Sequence, residues 1–215
     1  MEIEFIGEEQ ACEPENKREQ ERMGEILPSQ LNMIRKTVAE LKISDQSFVL
    51  EVGFQNIGHH NFLFQQADRI AYFGSSINKD LVQQSATNQA QQMGDNHAQF
   101  IIARDSGELD FADGIFDSCF SVNAIYFWKD PLSHLKEICR VLRPGGKFIL
   151  AFVEEKFGKD LPWTEIDFSF YEQNTVMKFF REAGFGNIRE KVMTEQVPGK
   201  DRSRPFITIS GTRLN

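Results

Sequence analysis

Cysteine and histidine are scarce in this sequence, and they do not fall into metal-binding patterns. The 215 residues include three cysteines, with no Cys-x-x-Cys pair, and four histidines. His59 and His60 are adjacent while His97 and His134 stand alone, so none has the spacing of a zinc site. We therefore expect no metal, a surface role for His59 and His60 at the start of a helix, and a reducing compartment, the cytoplasm.

Positive charge and long apolar runs are also lacking. Lys and Arg total 24 against 32 Asp and Glu, which gives a formal net charge of −8. An acidic chain is a poor partner for a phosphate backbone or an anionic membrane, so we expect neither nucleic acid nor membrane among its partners. No apolar stretch approaches the roughly 18 residues of a membrane span, and the acidic N terminus does not resemble a secretory signal.

Short apolar runs alternate with helical patterns along most of the chain. Runs of this length, bounded by turn residues, are typical of buried parallel strands. Strands are predicted at seven places: 47–53, 69–74, 98–103, within 116–127, 147–152, near 187–194 and near 205–212. Helical patterns separate most of them, but not the last two. The order predicts an α/β fold, a doubly wound, mostly parallel seven-stranded sheet with an antiparallel C-terminal hairpin.

We interpret the chain as a single domain over residues 1–215. Within it, residues 1–30 are interpreted as an N-terminal extension or cap, because a charged, solvated run precedes the first helical pattern. Residues 153–171 are interpreted as a lid or substrate-region insertion, because their irregular, aromatic-rich sequence follows the fifth predicted strand. Lid packing and a pocket for an apolar small molecule are both open interpretations of that insertion.

One stretch carries a family resemblance. Within residues 111–152, Phe116-Asp117 enters a strand, Tyr126-Phe127-Trp128 follows it, and a helix ends at Arg143-Pro144-Gly145-Gly146. In this order the pieces resemble the middle of class I S-adenosylmethionine-dependent methyltransferases, particularly the small-molecule "type 11" group related to quinone-biosynthesis enzymes. The resemblance implies a Rossmann-like fold, S-adenosyl-L-methionine as cofactor, and methyl transfer to a small-molecule acceptor.

The resemblance also implies where the cofactor binds. Ligands of open α/β sheets bind outside the carboxyl ends of the strands, near the switch in strand order. The family's Glu-x-Gly-x-Gly-x-Gly turn is matched at Glu51 and Gly53, and Phe54 follows in the same turn. Gln55 and Ile57, however, stand where two further glycines belong, and these side chains are expected to crowd the cofactor.

Three later turns complete the implied cofactor site. Ser76 stands where the family has an acidic residue that binds the ribose hydroxyls, so one charged anchor is replaced by a hydroxyl. Asp105 and Ser106 match the pair that meets the adenine. Asn123, at the end of the fourth predicted strand, is the last cofactor candidate; the alternative is that it satisfies backbone groups there.

The acceptor side is less clearly marked. Tyr126, Trp128 and Trp163 are the candidate residues of the substrate region, with core packing as the alternative for each. No residue is assigned as catalytic, because methyl transfer from a sulfonium relies mainly on alignment and exclusion of water.

Two hypotheses about function follow from these matches and departures. The first is a methyltransferase acting on a small organic acceptor. The alternative is a pseudo-methyltransferase that keeps the fold as a binding or scaffold protein, motivated by Gln55, Ile57 and Ser76. A nicotinamide dinucleotide protein is disfavoured, because no Gly-x-Gly-x-x-Gly follows the first strand.

Overall fold

A computed structural model describes residues 31–89, 97–154, 156, 169–196 and 203–214 of the chain. The predictions for residues 1–30, for Trp163 and for most of the 153–171 insertion lie outside the described residues. Among the described residues, no helix combines the length and apolar character needed to cross a bilayer.

Strands and helices alternate over most of the described chain, as the sequence predicts. Helix α1 includes residues 31–41. The other helices are α2 (His60–Phe64), α3 (Lys79–Gln89), α4 (Pro131–Val141) and α5 (Gln173–Glu182), with a short 3-10 turn over Ile125–Phe127. The strands are β1 (Phe48–Val52), β2 (Ala71–Ser76), β3 (His97–Ile102), β4 (Phe116–Val122), β5 (Leu142–Phe152), β6 (Phe185–Gln196) and β7 (Ser203–Arg213).

The strands form a seven-stranded sheet in the order β3-β2-β1-β4-β5-β7-β6. Strands β1 to β5 pair in parallel, and β7 pairs antiparallel with both β5 and β6. The predicted fold class is therefore confirmed. The switch in strand order lies between β1 and β4, so the turns that follow these two strands meet at one crevice.

The start of β5 differs from the prediction. The strand begins at Leu142 rather than Lys147, because the chain stays extended through the Pro-Gly-Gly turn. Gly145 adopts a φ of +79°, in the left-handed region that favours glycine. The pairing with β4 shifts register there: Phe116 faces Leu142, whereas Ser118 faces Lys147. The turn is thus a bulge at the start of the strand.

Two apolar clusters cover the two faces of the sheet. The cluster on the α4/α5 side is built on aliphatic and aromatic residues such as Leu50, Phe148 and Phe180. The cluster on the α1/α2 side includes Val38, Leu63 and other side chains from those helices, packed on alternate strand residues. Both clusters reach the carboxyl ends of the strands, so the turns rest on packed supports.

Candidate functional site

The turn after β1 is fastened to both neighbouring strands. The backbone N–H groups of Gly53 and Phe54 both donate to the carbonyl of Ser75, at 2.8 and 3.1 Å. Gly53 has a φ of +78°, and a Cβ added there would lie 2.5 Å from the Cβ of Ala124. The Phe54 ring is buried and packs against Phe100 at 5.2 Å between ring centroids. The start of the turn therefore belongs to the core.

The middle of the same turn lies at the surface. Gln55, Asn56 and Ile57 are half-buried and Gly58 is exposed. The Asn56 side chain accepts a hydrogen bond from the Gly58 N–H at 3.0 Å. A Cβ added at Gly58 would lie 3.1 Å from Leu31 Cδ2, so this glycine packs near helix α1.

Glu51, at the end of β1, sits in a buried polar network. The Tyr72 hydroxyl donates to Glu51 Oε2 at 2.6 Å. His59 Nε2 lies 2.8 Å from the same oxygen, with side-chain exposures of 0% and 3% for the imidazole and the carboxylate. Burial and the neighbouring Glu51 carboxylate hold the pKa of Tyr72 well above its usual value. Tyr72 therefore remains a neutral donor to that carboxylate.

The prediction of a surface role for His59 and His60 is wrong. Both rings are buried, stacked among Tyr72, Phe100 and Phe120 on the α1/α2 side of the sheet. Helix α2 begins at the inner end of the turn, so its first residues point into the core. The sequence offered one signal: a glutamate at the end of a strand, followed eight residues later by two histidines.

The ends of β2 and β3 form the next part of the crevice. Ser76 is buried, and its register partner is Ile102. The Ala103 N–H donates to the Ser76 carbonyl at 2.8 Å, which joins the two strand ends. Ile77 and Ile102 expose 62% and 53% of their surface, although they are large apolar residues. Exposed apolar residues at two neighbouring strand ends offer apolar surface to a ligand.

Asp105 and Ser106 lie just beyond β3, and both are exposed. Asp105 Oδ2 is 3.1 Å from Lys129 Nζ, in an ion pair at the surface. Ser106 Oγ lies 3.4 Å from the Glu108 N–H, which donates to it. Lys129 follows the β4 end in sequence, so the ion pair bridges the β3 and β4 turns.

Asn123 and Tyr126 connect the ends of β4 and β5. Asn123 is buried with a φ of +55°, a conformation that asparagine tolerates better than most residues. The Tyr126 hydroxyl accepts from the Val153 N–H at 2.5 Å and lies 3.0 Å from the Val153 carbonyl and 3.2 Å from Asn123 Oδ1. Burial raises the pKa of Tyr126 far above its usual value. Its hydroxyl holds two strand ends together.

Trp128, the second described candidate for the substrate region, is also packed. Its ring stacks on His134, with 4.9 Å between ring centroids and 12° between planes. Gly107 allows this contact, because a Cβ added there would lie 2.6 Å from the His134 ring. Burial lowers the pKa of His134. A place for Tyr126 and Trp128 in the substrate region stays a prediction, and both side chains have structural partners.

Comparison with protein families gives a match over residues 50–150. The family model is described as "Methyltransferase domain". The matched segment runs from β1 to β5 and contains the turn after β1, the Ser76 and Asp105 turns, and the β4 end. The parallel part of the sheet and the described crevice therefore fall inside one known family.

Curated relatives at the sequence level are methyltransferases. An uncharacterised chloroplastic methyltransferase of Arabidopsis thaliana is 32% identical over 124 residues, which cover 55% of this chain and 34% of that protein. A ubiquinone/menaquinone biosynthesis C-methyltransferase of Bdellovibrio bacteriovorus is 37% identical over 75 residues, covering 34% and 30%. The chain thus spans about a third of the length of these relatives.

Solved structures share the fold over nearly the whole chain. In the complex between the Haloferax volcanii Trm112 methyltransferase activator and a methyltransferase, the match has a TM-score of 0.73 and 19% identity, covering 91% of this chain and 95% of that one. A phosphoethanolamine N-methyltransferase of Haemonchus contortus, solved with S-adenosylhomocysteine, matches with a TM-score of 0.67 and 12% identity, covering 90% and 58%. At these identities the likeness concerns the fold.

Proposed function

The chain belongs to the class I S-adenosylmethionine-dependent methyltransferases, and from that premise we propose that it transfers a methyl group from S-adenosylmethionine to a small organic acceptor. The observation that carries the proposal is that Ile77 and Ile102 are both exposed, at the neighbouring ends of β2 and β3. These apolar side chains border the Asp105-Ser106 turn, and an adenine ring needs both an apolar surface and polar groups at its edge.

The residues present fit the adenosine part of the cofactor. Ile77 and Ile102 would hold the purine faces, Asp105 and Ser106 its polar edge, and Ser76 a ribose hydroxyl. Replacing the family's acidic residue by Ser76 removes one charged hydrogen-bond acceptor, so binding is expected to be weaker than in a site with a carboxylate. Glu51 and Gly53 would support the turn that faces the methionine part, with Phe54 and Asn123 beneath it.

Bound S-adenosylmethionine supplies an activated methyl group on a positively charged sulfur. The residues of this chain have to bind and orient the cofactor and the acceptor, and to exclude water. Alignment is the main source of the rate enhancement in such a transfer. Tyr126 contributes by fixing the end of β5 to that of β4 through Val153. Because its pKa is raised, Tyr126 keeps its proton and acts in positioning.

The acceptor is proposed to be a small molecule with an apolar or aromatic surface. Phe127 is 55% exposed beside the buried Tyr126, and Phe170 packs on Tyr126 at 5.6 Å between ring centroids. Aromatic side chains around a crevice favour flat apolar ligands. The ubiquinone/menaquinone biosynthesis C-methyltransferase among the relatives supports the same acceptor class.

Isothermal titration of the purified, ligand-free protein with S-adenosylmethionine and S-adenosylhomocysteine tests the cofactor part. We expect binding in about the micromolar range. In the matched pair of variants, Asp105→Asn should weaken binding about tenfold, whereas Asp110→Asn, in an exposed ion pair with Arg104, should not change it. No heat and no thermal stabilisation at millimolar ligand, with folded protein, would contradict the proposal and favour the scaffold alternative.

A substitution at Ser76 tests the site in the opposite direction. Ser76→Asp restores the charged acceptor, and a hydrogen bond to a charged group contributes about 1.5–3 kcal/mol, so affinity should rise roughly 10- to 100-fold. Thr87→Asp, at an exposed position of helix α3, is the control and should leave affinity unchanged. Equal effects of the two variants would show that position 76 does not contact the ribose.

The acceptor class needs an activity measurement. Incubation with S-adenosylmethionine and a panel of hydroquinones, phenols and aliphatic amines, followed by mass spectrometry, should show one added methyl group on a ring-containing acceptor. Methylation confined to aliphatic amines would contradict the acceptor class and leave the cofactor part intact.

A further inference from the structure

The buried network at the inner end of the first turn contains three metal-ligating side chains. Glu51 is the penultimate residue of β1, His59 is the N-cap of α2, and His60 is the first residue of that helix. Each residue contributes one ligand atom, and the three atoms all lie within 4.8 Å of one another. The residues are buried, with 2% of the surface exposed for Glu51, 0% for His59 and 4% for His60. Two imidazoles and a carboxylate form a donor set that zinc and related transition metals prefer.

The distances suit a single shared ion. Ligand atoms at about 2.0–2.2 Å from a tetrahedral zinc ion are about 3.4 Å from one another. In the structure, His59 Nε2 and Glu51 Oε2 are already 2.8 Å apart, and the whole set lies within 4.8 Å. Small side-chain rotations therefore bring the three atoms to one coordination sphere.

The hydrogen bonding of the cluster also points to an ion. His59 Nε2 lies 2.8 Å from Glu51 Oε2, and His59 Nδ1 has no hydrogen-bond partner. Buried polar atoms without partners are rare, and an ion is one of the established explanations. Tyr72, which donates to Glu51 at 2.6 Å, occupies the place of an outer-shell group that orients a ligating carboxylate.

We propose that Glu51, His59 and His60 bind one divalent transition-metal ion of the zinc class, which clamps the two ends of the turn over residues 53–58. Glu51 lies two residues before Gly53, the first residue of that turn, and His59 follows its last residue, so one ion would hold both ends. The clamp holds a turn in which Gln55 and Ile57 replace the family's glycines. The site does not depend on methyl transfer, and it goes beyond the proposed function.

Metal binding to the full chain tests the proposal. The purified protein is stripped with a chelator, and Zn²⁺ or Co²⁺ is added in a competition titration. We expect one equivalent of metal to bind, with the strong visible absorption of four-coordinate Co²⁺. His59→Asn and His60→Asn should each lower the affinity at least tenfold, and Tyr72→Phe about 10- to 100-fold through the outer shell. His97→Asn, at an exposed ring, is the matched control and should not change it.

Two results would overturn the proposal. One is the absence of stoichiometric binding by the folded wild-type chain; the other is equal binding by wild type, His59→Asn and His60→Asn. Either leaves a metal-free contact between Glu51 and His59. If a histidine variant fails to fold, two measurements on the wild-type protein decide: the Co²⁺ spectrum and thermal unfolding. A chelator should lower the midpoint of thermal unfolding. A midpoint that the chelator leaves unchanged would contradict the clamp.

Discussion

The two sides of the sheet bury different kinds of side chain. On the α4/α5 side, the described cluster consists of aliphatic, aromatic and thiol side chains, with Phe148, Phe180 and Phe185 in mutual ring contact. On the α1/α2 side, the apolar cluster is interrupted by the Glu51 network and lies beside the buried Glu195, which pairs with Arg204. Burying charge costs free energy unless it is paired, whereas apolar packing stabilises directly.

The difference indicates a division of roles. The α4/α5 side supplies stability mainly through apolar burial, although Glu154, which accepts from the Gln173 N–H at the start of α5, is also buried there. The α1/α2 side carries its buried polar groups next to the first turn and the β6-β7 hairpin, which flank the strand ends that form the crevice. Polar groups retained at such a cost are often functional. Substitutions on the two sides are therefore expected to differ in how their effects depend on pH.

The largest effect is expected from Phe180→Ala on the α4/α5 side. Phe180 is fully buried and contacts Phe148 and Phe185 at 5.4 and 5.1 Å between ring centroids. Its loss should lower the free energy of unfolding by about 4 kcal/mol, independent of pH, because it leaves an apolar cavity. Urea unfolding measures the change. Phe179→Ala on the same helix is half-buried and should cost clearly less; equal costs would break the comparison.

On the α1/α2 side, Arg204→Met should cost about 3 kcal/mol at neutral pH, because it leaves the Glu195 carboxylate buried without its cation. Burial already raises the pKa of Glu195. A raised folded-state pKa means that the penalty is present above that pKa and is lost as the carboxyl group takes a proton at lower pH. The cost should therefore shrink on acidification, and a pH-independent cost in urea unfolding would contradict the assignment.

Tyr72→Phe should have a smaller effect, about 2 kcal/mol, since it removes one hydrogen bond to the buried Glu51 carboxylate. Thermal or urea unfolding of metal-free protein gives the value. Tyr171→Phe, at a half-buried ring on the other side, is the matched control and should cost under about 1 kcal/mol. If both variants cost the same, the Glu51 network contributes no more than a surface hydroxyl.

The smallest effect is expected at His134, at the rim of the α4/α5 cluster. Burial lowers the pKa of its imidazole, so the unfolded chain binds the proton more tightly. Stability is then fully present above the unfolded pKa of about 6.5 and falls as the pH drops below it. His134→Gln should reduce this slope, whereas His97→Gln should not. An unchanged slope in unfolding measurements at pH 5 to 7.5 would exclude His134 as a source.

The fold could be predicted from the sequence because its strands are short apolar runs with turn residues at both ends. Strands β1 and β2 match the predicted bounds within one or two residues. The start of β5 could not be predicted, because Pro144-Gly145-Gly146 is typical of a turn and only the pairing with β4 shows a bulge.

The site was less predictable, because its contacts are long-range. Asp105 and Ser76 fall at the expected strand ends, which follows from the order of strands alone. Two contacts depend on which face of the sheet each residue occupies. They are the contact between His59 and Glu51 and the ion pair of the buried Glu195 with Arg204. Helix α2 has only five residues, so the helical periodicity of residues 60–64 is too short to be a strong signal in a single sequence.

Gly53 has a consequence for how relatives of this chain evolve. Its missing Cβ makes room for Ala124, and its positive φ disfavours other residues, so the sheet itself requires glycine there. A descendant that had lost methyl transfer would still be selected to keep it. Positions 55 and 57, whose half-buried side chains carry no such packing demand, are free to drift once cofactor binding is no longer under selection. The residues at positions 55 and 57, and not the glycine at position 53, should therefore distinguish active from inactive homologues.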